Sequence, residues 1–181
     1  MTTKLIGLRL SYKTIKKLEI IAHHNNQSAN FVAKNAIIEW LEIFSRTQQQ
    51  GMIILGKYFI TNLLEFIDID NLKPAAEITA IRKADFFQFI IGNQLSKDTL
   101  DEFIKYVPKI LGNKGLMWFD HIEARREGKL VHFSGIHSLG KKWSQFLIYY
   151  FNSLMEQSFN MKLNEKNIKH SDNSLYLEYT F

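Results

Sequence analysis

A chain of 181 residues with 46% hydrophobic residues, fourteen of its aromatics Phe, has enough apolar material for a packed core, which excludes an intrinsically disordered protein. The absence of cysteine excludes a disulfide framework, a thiolate metal site and a cysteine nucleophile. The formal net charge of +5 is unevenly placed, because residues 1–48 hold seven Lys and Arg against three Glu, and such an excess favours an anionic partner.

Residues 4–10 alternate with period 2, with Ile6, Leu8 and Leu10 on one face and Leu5, Gly7 and Arg9 on the other, which predicts a short strand. Ser11 offers a hydroxyl N-cap to a first helix in which Ile15, Leu18, Ile21 and Ala22 recur at helical spacing as far as His23 and His24. Asn25 and Asn26 form the stop, since Asn tolerates the left-handed conformation that ends helices. Ser28 then caps a second helix with a broad apolar stripe through Val32, Ala33, Ala36, Ile37, Trp40, Leu41 and Phe44. A lone strand and two helices of this length cannot enclose a core, so the unit is predicted to fold only as a pair.

This order of elements over residues 4–44 resembles the ribbon-helix-helix transcriptional regulators. The resemblance implies an obligate homodimer whose strands pair antiparallel and enter the major groove of double-stranded DNA. It places base-reading positions on Leu5, Gly7 and Arg9 and the phosphate-holding helix start on Ser28, Ala29 and Asn30, with Lys4 and Lys13 as further phosphate contacts. Only Arg9 among the strand positions offers a bidentate contact to guanine, which departs from the two or three long polar side chains usual in that family. The family also implies a prokaryotic or phage source.

Gln48, Gln49, Gln50 and Gly51 are the polar break that divides an arm, 1–48, from a second domain, 52–181. Residues 52–69 are predicted helical. Pro74 is placed in the first turn of a helix over 73–91, and Ser96 or Thr99 starts another that carries Pro108 and ends near Gly112. From Gly115 the period changes to 2. Strands over 116–125 and 129–136 flank a two-residue turn at Glu127 and Gly128, with Arg126 opposite Lys129, Ala124 opposite Val131 and Ile122 opposite Phe133. Ser138 is the expected cap of a helix over 139–159, and strands over 161–169 and 175–181 close the chain around Ser171, Asp172 and Asn173. The predicted class is therefore α+β: the arm, then helices and a ββαββ antiparallel sheet. The element order over 52–181 also resembles the ligand-binding fold of the 4-vinyl-reductase-like sensor domains and the TRAPP vesicle-tethering subunits, without a shared motif.

Candidate chemistry is sparse. His121, Glu123 and His132 could share one sheet face, but their spacing is that of a solvated face rather than a metal site, and no metal or other cofactor is expected. Lys141 and Lys142 follow Gly140 without a phosphate-loop pattern, and Ser134, Ser138 and His137 lack a fixed acid, so no catalytic residue is assigned and no enzyme is expected. His137 stands at a strand-to-helix corner. It either presents a neutral imidazole to a ligand or satisfies backbone groups at that corner. With Trp118, Ile122, Phe133, Trp143, Phe146 and Tyr150 it outlines a pocket for a small apolar ligand, although a packed core would use the same residues. No apolar run reaches the length of a membrane span and no signal-peptide pattern opens the chain, so a cytoplasmic protein without a membrane partner is expected. The expected function is a dimeric DNA-binding transcriptional regulator whose second domain senses a small ligand or extends the dimer; the alternative is a non-enzymatic dimerisation and protein-interaction module.

Overall fold

The structure is a computed structural model that describes residues 6–45, 48 and 55–181. The chain divides into two compact units, residues 1–45 and 46–181, and each is described by itself. Among the described residues there are six α-helices and a five-stranded antiparallel sheet, an α+β protein.

In the first unit, α1 (Tyr12–His24) starts where the Ser11 hydroxyl accepts the Thr14 N–H. It ends where Asn26 takes a left-handed φ of 52° and Gln27 N–H returns to the Ala22 carbonyl. Helix α2 (Ala29–Glu39) starts in the same way, with the Ser28 hydroxyl accepting the Phe31 N–H, and widens into a π turn at Trp40–Phe44. Both helices and the turn between them lie where the capping residues place them. Of the expected strand over 4–10, the described residues 6–10 join no sheet, and Lys4 and Leu5 lie outside the described residues. A strand needs a neighbour to bond to, and all five strands among the described residues lie between residues 121 and 180. A ribbon-helix-helix is therefore not seen among the described residues of the single chain.

The second unit opens with α3 (Lys57–Glu65) and α4 (Ile69–Ile91). Helix α4 begins at Ile69, four residues before the expected start, so Pro74 lies in its second turn rather than its first and supplies no N–H to the Asp70 carbonyl. Ser96 and Thr99 cap one another reciprocally across a 3₁₀ turn, Lys97–Thr99, that leads into α5 (Leu100–Leu111) with Pro108 inside it. The strands are β1 (His121–Glu127), β2 (Leu130–Ile136), β3 (Lys162–Leu163), β4 (Lys169–His170) and β5 (Ser174–Thr180), with α6 (Lys141–Phe159) between β2 and β3. Sheet order is β1-β2-β5-β3, and β4 also pairs with β5.

Three expectations are corrected here. The first strand begins at His121, not near Leu116, because the preceding loop is bonded back to the end of α5: Leu116 N–H to the Ile110 carbonyl and Phe119 N–H to that of Leu111. The hairpin register is shifted by two, with Glu127 opposite Leu130, Ala124 opposite Phe133 and Ile122 opposite Gly135. The turn residues are Gly128 and Lys129, and Gly128 carries the positive φ of 62° that the turn requires. Because side chains alternate with period 2, a shift of two leaves Ile122, Ala124, Val131 and Phe133 on the inner face. Finally, α6 is capped by Gly140, whose φ of 81° reverses the chain, while Ser138 turns to Lys57 instead.

The inner sheet face is covered by α5 against β1 and α6 against β5, with α4 packed along α6. Phe103 joins these layers, its ring 4.7 Å from Phe87 of α4, 4.9 Å from Phe159 of α6 and 6.4 Å from Phe133 of β2 between centroids. Gly135 is a required small residue in this packing. A Cβ there would lie 2.6 Å from the buried Phe119 ring and 3.1 Å from the His121 carbonyl. Gly135→Ala is expected to destabilise the second unit by about 1–3 kcal/mol, the usual size of an overpacked core. Urea denaturation checks this, and an unchanged midpoint would contradict it.

Candidate nucleic-acid interface and aromatic cluster

In the first unit the described DNA-contact candidates are at the surface. Gly7, Arg9, Lys13, Ser28 and Asn30 are exposed and Ala29 is half-buried, while Lys4 and Leu5 lie outside the described residues. No atom would meet a Cβ at Gly7, so the backbone there is open to close approach. Ser28 places its hydroxyl on Phe31 N–H, which leaves the first amides of α2 directed out of the helix start beside Ala29 and Asn30, an arrangement suited to an anion. On α1, Lys16 lies over the Tyr12 ring at 5.2 Å, with Lys13 and Lys17 exposed nearby in sequence. Much of the unit's apolar surface is uncovered: Ile6, Leu8 (59% exposed), Leu10, Ile37, Trp40 (49% exposed) and Leu41 all face out, and among its described residues only Ala22 and Ile43 are buried.

In the second unit the seven pocket candidates separate. Trp118, Trp143, Phe146 and Tyr150 form one aromatic stack, with Trp118 5.3 Å from Trp143 and 5.0 Å from Tyr150, and Trp143 stacked on Phe146 at 4.8 Å. The Trp143 indole N–H donates to the Trp118 carbonyl at 3.2 Å. Phe133 lies apart from the stack, with Phe151 between: Phe151 is stacked on Phe133 at 4.7 Å and edge-on to Tyr150 at 5.1 Å. Ile122 is buried beneath β1, and His137 lies edge-on to Phe119 at 6.2 Å. An open groove of about 390 Å³ lies elsewhere on α6, lined by Gln145, Ile148, Tyr149 and Asn152 with Lys73 and the β3–β4 segment.

His137 serves the corner of the fold. Its Nδ1 accepts the Leu139 N–H at 3.3 Å, which puts the ring proton on Nε2, 2.9 Å from Ser144 Oγ; the Ser144 hydroxyl in turn donates to the Ser171 carbonyl at 2.7 Å. Burial pushes its pKa down to about 4; the Asp120 carboxylate opposes that shift and the Lys57 ammonium adds to it. Burial keeps the imidazole neutral, and both nitrogens are used internally, one of them on the backbone of the corner. The Lys57 ammonium bonds to Asp120 and to Ser138 and holds the Asp120 carboxyl below the usual carboxylate range.

His121 and Glu123 contact each other at 3.2 Å, but His132 does not join them. It stands opposite Arg125, buried on the outer face, with Nδ1 2.8 Å from the Tyr176 hydroxyl and 3.5 Å from Glu178. Asn167 and Asn164 donate to Glu178 and hold its carboxyl below the usual range. Among the described residues no group of three His, Cys, Asp or Glu is placed to hold a metal ion.

Sequence reasoning missed Lys83. It lies on the buried face of α4, 4.9 Å from the Phe86 ring centroid and 5.4 Å from that of Trp118, and burial pushes its pKa down to about 8. Its signal was available, since Lys83 interrupts the stripe Ala76, Ala80, Phe87 and Ile90 at core spacing. Comparison of the chain with family models, curated proteins and solved structures finds no match.

His137 makes stability depend on pH. The unfolded chain takes up a proton near pH 6.5 and the folded chain only near pH 4. In between, the unfolded state binds more protons, so stability falls as pH is lowered through this window, by up to about 3 kcal/mol. Urea denaturation at pH 7 and pH 4.5 is expected to show this loss, and His137→Asn, which cannot titrate, is expected to remove it. An equally steep loss in the variant would assign the effect to other groups.

Proposed function

We propose that the chain is a dimeric DNA-binding transcriptional regulator of the ribbon-helix-helix kind. One observation carries the reading: two Ser-capped helices joined by a left-handed Asn turn follow an unpaired segment, and together they leave Ile6, Leu8, Trp40 and Leu41 exposed. A second copy supplies both what the segment lacks, a strand to bond to, and what the helices lack, an apolar partner.

In the paired arm, Leu5, Gly7 and Arg9 face the major groove. Arg9 reads guanine and Leu5 meets a thymine methyl, while Lys4, Lys13 and the α2 start hold phosphates. The excess of Lys and Arg over Glu in residues 1–48, doubled in the dimer, supplies the salt-dependent part of the affinity. In this reading an effector occupies the groove beside Tyr149 and acts by binding the DNA-competent and incompetent states unequally.

Light scattering is expected to report a dimer at micromolar concentration, and Trp40→Ala to weaken it by at least about 2 kcal/mol, as loss of a central interface anchor does. A monomeric wild-type chain would refute the reading. In binding titrations at several salt concentrations, Arg9→Ala is expected to lose about 1–3 kcal/mol of discrimination between sites, whereas Lys13→Ala weakens all sequences alike and flattens the salt slope. DNA affinity indifferent to salt would favour the interaction-module alternative.

A further inference from the structure

The outward face of α4 carries a seam that the core does not use. Ile78, Arg82, Asp85 and Phe89 follow at steps of four, three and four residues, which places them on one line along the helix, and all four are exposed. The line runs opposite the buried positions Ala76, Ala80 and Phe87. Ile78 is 63% exposed and Phe89 45%, with Ile81 exposed beside them. Neither Arg82 nor Asp85 makes an ion pair among the described residues.

We infer that this seam docks on the same seam of a second copy, the two α4 helices running antiparallel across a two-fold axis. The pattern apolar, cation, anion, apolar is self-complementary when reversed. With the axis between residues 83 and 84, Ile78 of one copy meets Phe89 of the other, and Arg82 meets Asp85, each contact made twice as an isologous interface requires. A parallel pairing in register would set Arg82 against Arg82 and Asp85 against Asp85, which like-charge repulsion disfavours. One helix pair is smaller than the roughly 1,000 Å² that a stable interface buries on its own. The contact therefore rests on the dimeric arm proposed above, which holds two second units on one assembly at high effective concentration.

The cysteine-free chain allows a clean test on the full-length protein. Under mild oxidation, Ile78→Cys combined with Phe89→Cys is expected to give covalent dimer on a non-reducing gel. A cysteine pair at two exposed sheet positions that are not strand partners, Glu123→Cys with Lys169→Cys, is expected to give none. Adding Arg82→Asp sets two aspartates against each other at both contacts and should slow crosslinking roughly fivefold, the scale of two exposed ion pairs made repulsive. Adding Asp85→Arg as well restores complementarity and should restore the rate. A light-scattering dimer that fails to crosslink, or crosslinks regardless of the charge reversal, overturns the seam and leaves the arm intact. A monomer that fails to crosslink overturns the seam together with the arm.

Discussion

Burial of the Phe103 ring joins every layer of the second unit, because it touches α4 through Phe87, α6 through Phe159 and the sheet through Phe133. Each aromatic contact of this kind is worth about 0.5–1.5 kcal/mol beyond the area it buries. The contact also works as a geometric constraint. With three elements meeting on one side chain, α5 cannot shift along β1 without disturbing the other two layers. The turn at the end of α5, the loop back to Phe119 and the close fit of Gly135 against that ring follow from where Phe103 holds the helix. The sheet is consequently covered on one face by helix and left on the other to polar groups such as His132, Tyr176 and Glu178, which bond to one another.

The first unit has no counterpart to Phe103. Its local structure is well specified by hydroxyl caps and a left-handed asparagine, yet its apolar side chains have little to pack against within the unit. Local propensity and tertiary burial are thus separated between the two units. In the arm the caps decide the helices before any core exists, and in the second unit the core overrides local preference, as it does in carrying Pro74 inside α4.

That separation accounts for what was legible in the sequence. Ser11, Asn26 and Ser28 act within three or four residues of themselves, so the arm's helices could be placed from the residues alone. The inner face of the hairpin was legible because alternation survives an even shift. Its register was not, because it turns on which residue of the Glu127, Gly128, Lys129 run adopts a positive φ. Trp118 was read as a strand residue because its neighbours alternate, whereas long-range bonds to the end of α5 make it part of a loop. For the pocket candidates, residue type said aromatic and buried, but only the three-dimensional arrangement could say that Phe151 stands between Phe133 and Tyr150.

Helix α3 is fastened differently from its neighbours. Leu64 is its only buried side chain, and much of its hold is two lysines: Lys57 at one end on Asp120 and Ser138, and Lys142 of α6 at the other, donating to the carbonyls of Leu64, Glu65 and Ile67 at 2.9–3.0 Å. Ammonium groups near the surface are screened by salt and are neutralised by acetylation, whereas apolar burial is neither. Helix α3 is also the first helix of the second unit whose bounds are described. High salt and lysine acetylation therefore loosen α3 before they touch the sheet and its covering helices, whose hold is apolar.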